Sequence, residues 1–236
     1  MHPHKPKPVH NWREFLKEYA IIVMGVLTAL AAEQAAEAWH WHNKVADARA
    51  AIAGEMTINN HDFFARRIAI APCLERQINQ ADAILSALEA GREPGKFAIF
   101  RAGSGSLLSD SEWQSERASQ VLVHFPRAEL AAMGRYYMMF QDFRPWMASE
   151  GEAWQELSIL QNPPRGITTS DLIRLRVSLG DALRVERLII LNARRQLRLS
   201  KQLGIPGVQA ESARVNAFCT LNEPDYQRFL RSQELR

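Results

Sequence analysis

The first apolar stretch of the chain differs in kind from those that follow. Residues 19–32, YAIIVMGVLTALAA, hold no charged side chain and are apolar on every face rather than along one stripe. A membrane span needs about 20 residues to cross roughly 30 Å of hydrocarbon, so this run alone falls short and a buried core helix is the alternative. Continuing the helix to about residue 38 supplies the length and places Glu33, Gln34 and Glu37 near its exit. Trp12 and Tyr19 flank one end and Trp39 and Trp41 the other, as rings at two membrane–water interfaces do. The pattern predicts a transmembrane or signal-anchor helix over 19–41.

Downstream the pattern becomes amphipathic. Val45, Ile52, Met56, Phe63, Ile70, Leu74, Ala81, Leu85 and Leu88 recur at helical steps, with Pro72 expected to kink or restart the helix. Gly91, Arg92, Glu93, Pro94 and Gly95 stop it, and residues 96–108 read as a connection. Ser109 with Glu112 forms a capping-box signal for a helix that carries Trp113, Val121 and Leu122 and ends before Pro126. A helical stretch over about 127–161 follows, broken at Pro145, with Ser149 and Glu152 as a second capping box; residues 162–166 end it. Thr168 and Asp171 start the best-defined helix, whose face is Leu172, Leu175, Leu179, Leu183, Ile190 and Leu197 and whose stop is Gly204 with Pro206 beyond. A last helix is expected over 225–233. No strand alternation is long enough for a sheet. The expected fold is all-α: one N-terminal transmembrane helix followed by an antiparallel helical bundle.

Charge orients the first helix. Residues 1–18 carry Lys5, Lys7, Arg13 and Lys17 against Glu14 and Glu18, while Pro3, Pro6 and Pro8 keep the start extended. A basic excess before a span places the N-terminus in the cytoplasm. The divisions are then a cytoplasmic tail at 1–18, the anchor at 19–41 and an exported α-helical domain at 42–236. Ala29-Leu30-Ala31 also fits a signal-peptide cleavage site, a reading that exports the same domain. Gly25, Ala29, Ala32 and Ala36 form a small-residue face through which two such helices could pack.

The string WREFLKEYAIIVMGVLTALAAEQ, with its Gly25-Val26 step and the charged, alanine-rich helix after it, resembles an uncharacterised bacterial family of N-terminally membrane-anchored helical proteins. Residues 111–122, SEWQSERASQVL, resemble the Trp-centred helix start that those proteins carry downstream. The resemblance covers about a quarter of the chain. It implies the architecture and the bacterial inner membrane, and no activity.

Composition excludes more than it selects. Of 236 residues, 47% are hydrophobic and 23% charged, which suits a globular core, and a formal net charge of +3 does not call for a nucleic-acid partner. The two cysteines, Cys73 and Cys219, are buried thiols if the chain is intracellular and a candidate disulfide if it is exported. Spacing alone does not say whether they meet.

Candidate chemistry is sparse. Glu33, Glu37 and His40 share a helical face, but the second Glu-x-x-His pair of a di-iron bundle is missing. His2, His4 and His10 lie in the proline-rich tail, and Gly103-Ser104-Gly105-Ser106 lacks the lysine of a P-loop. No metal, cofactor or catalytic residue is expected. Arg176, Arg187, Arg194, Arg198 and Lys201 form a basic stripe that could meet anionic lipid or an acidic partner, or simply be solvated. Glu186 falls on the apolar arc of the same helix and should find a buried arginine or one of this stripe. Trp113, Tyr136, Tyr137, Phe140, Phe143, Trp146 and Trp154 make an aromatic middle that is core or a small-molecule pocket. The expected role is a non-enzymatic interaction or scaffolding module of the envelope, with the bilayer and a second copy or an envelope protein as partners. The alternative is a periplasmic sensory, small-molecule-binding bundle.

Overall fold

The computed structural model describes residues 12–94, 102–103, 107–161, 163–164 and 166–220. His2, His4, His10, Ser104–Ser106 of the glycine–serine run and the helix expected over 225–233 lie outside them. Among the described residues there are helices and turns and no strand. The elements are α1 (Trp12–Asn59), a π-helical turn (Asn60–Ala65), α2 (Arg66–Glu89), α3 (Ser111–Ala118), a 3₁₀ turn (Val121–His124), α4 (Arg127–Met138), α5 (Phe140–Leu157), a second 3₁₀ turn (Ser158–Gln161), α6 (Thr169–Gln202) and α7 (Ser212–Cys219).

α1 is continuous through residues 18 and 41, so residues 12–18, the apolar segment and the first core helix are one 48-residue rod of roughly 72 Å. Its burial begins only at Ala48, after half-buried Trp41 and Val45. The π turn then inserts extra backbone into one turn. Asn59, Asn60, Phe63, Phe64 and Arg67 all face inward across it, so the buried face passes from α1 into α2 without a break. Pro72 does not restart the helix: α2 runs through it, because Ile70, Cys73 and Leu74 on either side are buried and their packing outweighs one lost backbone bond.

The core has two apolar clusters. One joins Ile52, Met56, Phe63 and Phe64 to Trp113, Tyr136, Phe140, Phe143, Val185 and Ile189. The other joins Ile70, Leu74, Leu85, Trp154, Leu157, Leu175, Ala182 and Phe218. α6 spans both, packing chiefly on α2 and α5. Its contacts with α2 pair Glu186 with Arg67 and Arg176 with Glu89, so the two helices run antiparallel.

α6 starts as the sequence indicates. Thr168 Oγ1 accepts from the Asp171 N–H (3.2 Å), and the Asp171 carboxylate accepts from the Thr168 N–H (3.1 Å). Its buried face is Leu175, Ser178, Leu179, Ala182, Val185, Glu186, Ile189, Ala193, Gln196 and Ser200. The expected positions Leu183, Ile190 and Leu197 end half-buried, because a seven-residue step drifts about 20° per repeat on a straight helix.

Two expected caps are absent. Pro145 and the Ser149–Glu152 pair sit inside α5, and the break falls at Met139, between α4 and α5. The Ser109–Glu112 box does not form either. The buried Glu55 of α1 takes its place, accepting from Ser109 Oγ (2.9 Å), Ser111 Oγ (3.0 Å) and the N–H groups of Glu112 (2.9 Å) and Trp113 (3.4 Å). Asn59 adds a reciprocal pair with the Ser109 backbone, donating at 2.7 Å and accepting at 2.9 Å. The N-terminus of α3 is thus capped from another helix.

Glu55→Gln removes the charge and half of the acceptor capacity from this cap. A loss of about 2 kcal/mol is expected, seen as a fall in Tm of about 4–8 °C by circular dichroism. An unchanged Tm would mean that α3 is held by Trp113 packing alone.

Candidate functional site

Between the two apolar clusters lies a charged layer. Arg67 follows Phe63 and Phe64 and precedes Ile70; its side chain is completely buried. Its Nη2 donates to Glu150 Oε1 of α5 (2.7 Å) and to Glu186 Oε2 of α6 (2.8 Å). Its Nη1 donates to the Gly103 carbonyl, while the Gly103 N–H donates to Glu150 (3.2 Å). A Cβ at position 103 would overlap the Arg67 guanidinium, so only glycine fits there. One cation therefore ties α2, α5, α6 and the loop before α3 together.

Two carboxylates share this cation, and one guanidinium balances one of them. Burial raises the Glu186 carboxyl, Arg67 lowers it, and neighbouring Glu150 raises it again, leaving it at about 7. The partner of Glu186 is therefore a residue of α2, outside the basic stripe on its own helix.

The polar interior continues toward α1. Asn60 Oδ1 accepts from Tyr136 Oη and Ser200 Oγ, both at 3.1 Å, and Gln196 Nε2 donates to the Tyr136 carbonyl at 3.2 Å. The aromatic middle fills itself. Phe64 meets Tyr136, Phe140 and Phe143 at centroid distances of 5.9, 6.3 and 5.3 Å, and Trp113 stacks on Tyr137 at 5.0 Å. Trp154 is buried in the other cluster and Trp146 is half-buried.

Cys73 of α2 and Cys219 of α7 are joined by a disulfide, their Cα atoms 5.3 Å apart. It pins the segment after α6 along α2, with Ile205 in one apolar cluster and Phe218 in the other.

The basic stripe does not stay together as one surface. Arg176 is bound to Glu89 (2.8 Å), Asp82 and Ser86 of α2, which holds its guanidinium above its ordinary value. Arg187, Arg194, Arg198 and Lys201 are exposed. On α1, Gly25, Ala29, Ala32 and Ala36 are exposed, and nothing lies within 4 Å of a Cβ built on Gly25. Trp12, Tyr19 and Trp39 are exposed too, whereas Trp41 stacks on His124 at 3.9 Å and belongs to the edge of the helical domain. Glu33, Glu37 and His40 are exposed, with Glu37 accepting from Trp41 Nε1 at 3.4 Å. Among the described residues no three His, Cys, Asp or Glu side chains converge as a metal site.

Sequence reading missed Arg67, Glu150 and Glu55. Arg67 had one legible signal, a position in step with Phe63, Ile70 and Leu74 on the apolar face.

Two outcomes follow from this geometry. Because folded Glu186 holds its proton up to about pH 7 and unfolded Glu releases it near 4.5, folding takes up a proton between these values. Stability should fall as pH rises through this window, by on the order of 2 kcal/mol, and Glu186→Gln should flatten the dependence in urea unfolding. A wild-type profile rising from pH 5 to 8 would contradict the assignment. Reducing the disulfide, or Cys73→Ser with Cys219→Ser, should cost about 2–4 kcal/mol in the same assay.

Comparison with known protein families, curated proteins and solved structures finds no match to this chain.

Proposed function

We propose that the chain is a single-pass membrane-anchored module of the bacterial inner membrane, with its N-terminus in the cytoplasm. Residues 42–236 form an antiparallel helical bundle in the periplasm that serves interaction or scaffolding. The observation that carries the reading is an apolar window with a mean hydropathy of 1.7, none of it buried within the protein. Ile21, Ile22, Met24, Val26 and Leu27 are 53–72% exposed, and burial in lipid offsets about 25 cal/mol for each Å² of such surface. A core helix of a water-soluble protein would have covered these side chains.

Two further features support the placement. A disulfide is at home in an oxidising compartment, which the periplasm is and the cytoplasm is not. Trp41 marks where α1 leaves the apolar stretch and enters the packed domain, with no linker between them. The exposed Gly25, Ala29, Ala32 and Ala36 face gives two anchors a surface for close approach, so a second copy is one candidate partner.

Alkaline phosphatase joined to the C-terminus of the full chain, expressed in a Gram-negative host, should be active. An inactive enzyme there, with a fluorescent cytoplasmic reporter active in its place, would reverse the topology. In-cell crosslinking should recover a second copy or an envelope protein; recovery of monomer alone would remove the scaffolding role and leave the sensory reading.

A further inference from the structure

An open cleft of about 380 Å³ lies between α4 and α6, lined by Arg135, Met138, Met139, Arg195, Gln196, Arg198, Leu199 and Gln202. We propose that this cleft binds a soluble phosphate monoester of a small hydroxylated compound, gripped by Arg135, Arg195 and Arg198. The inference deepens the small-molecule-binding alternative; only the choice of a soluble ligand over a lipid headgroup draws on the proposed membrane placement.

Charge is the first ground. Three guanidiniums line the cleft and no carboxylate does. None of the three makes an ion pair or side-chain hydrogen bond within the described residues, as is true of Arg127, Arg187 and Arg194 too, so it is their convergence on one cleft that sets them apart. Arg195, Arg198 and Gln202 share one face of α6 at three- and four-residue steps, while Arg135 comes from α4 and faces them across the cleft. Arginine forks match phosphate oxygens in geometry as well as charge.

Arginines near a helix C-terminus could simply offset its dipole. Arg135 also lies in the last turn of its own helix, so both helix ends favour a cation; what the dipoles do not account for is that cations from two helices converge on one cleft with no carboxylate among them. The end of α6 is moreover already closed, with the N–H groups of Leu203, Gly204 and Ile205 bonded to carbonyls of residues 199–201 and Gly204 at φ 78°.

The floor is the second ground. Gln196 is 1% exposed, and its Nε2 is committed to the Tyr136 carbonyl. That bond leaves Oε1 buried without a donor. A buried acceptor left unmade is costly, and Gln196 lines the cleft, so a small turn of its side chain on binding would bring Oε1 to a ligand donor. The ligand should therefore carry a hydroxyl beside its phosphate. Met138, Met139 and Leu199 supply apolar contact for a carbon skeleton, and the volume exceeds what a bare phosphate fills.

Position separates a soluble ligand from a lipid headgroup. Tyr136 bonds to Met56 and Asn60, 18–22 residues beyond position 38 on α1. At 1.5 Å per residue that is roughly 27–33 Å along the helix from the expected membrane exit, beyond the headgroups of the chain's own bilayer.

The test is calorimetric titration of the full chain in an uncharged detergent. Glycerol phosphate should bind saturably. Arg135→Gln, Arg195→Gln and Arg198→Gln, all at exposed positions, should each weaken binding by about tenfold while leaving the circular dichroism melt unchanged. Propyl phosphate, with the same skeleton but no hydroxyls, should bind several-fold more weakly. No saturable binding, or equal affinity in the three variants, overturns the site. Equal affinity for propyl phosphate overturns the hydroxylated class and the role of Gln196. If glycerol phosphate fails but nanodiscs of phosphatidylglycerol, unlike phosphatidylcholine, raise Tm in an arginine-dependent way, the ligand is a headgroup and the soluble one is excluded. The topology assay is unaffected by any of these results.

Discussion

A guanidinium cannot be left in an apolar interior without partners, and the arrangement of this domain answers that constraint at Arg67. The two apolar clusters meet at its level. Glu150 and Glu186 arrive there from α5 and α6, and the backbone of residue 103 comes in from a loop. Removing Arg67 strands two buried carboxyl groups, a break of the kind that typically costs about 3–5 kcal/mol, whereas replacing the whole layer with apolar side chains is often neutral. The layer is therefore better understood as a register device than as a source of net stability. α5 and α6 can slide along α2 only by breaking it, and a purely apolar seam would have offered several near-equivalent alignments.

Local chemistry was legible and tertiary chemistry was not. The Thr168–Asp171 box, the stop at Gly204 and the breaker at Gly91 are events within a few residues of chain, and each stands where its residues indicate. Ser109 and Glu112 have the same local signature. They are overruled because Glu55, more than fifty residues earlier, presents a carboxylate to the same N–H groups. No spacing rule connects positions that far apart. The same limit hid most of the charged layer: the place of Glu186 on the apolar arc asks for a buried arginine, but that Arg67 supplies it, with Glu150 and Gly103 beside it, emerges only once the helices are packed.

Prolines fail to end two helices for a related reason. Pro72 and Pro145 each remove a backbone bond, a cost of about 3 kcal/mol that governs an isolated helix. In the folded chain the flanking Ile70, Cys73 and Leu74, or Phe143 and Trp146, pack well enough to hold the helix through it. The π turn at Asn60–Ala65 lies in the opposite category, since no residue there announces it.

The unbroken run of α1 from the apolar segment into the core has a geometric consequence. With no flexible joint between them, the azimuth of the helical domain about the axis of the apolar segment is set by helical phase. One residue added between Trp41 and Val45 would turn the whole domain by about 100° relative to the small-residue face of that segment. Four added residues would bring it nearly back into line, about 6 Å farther out. If two anchors pair through that face, the count of residues in this short stretch decides which sides of the two domains confront one another.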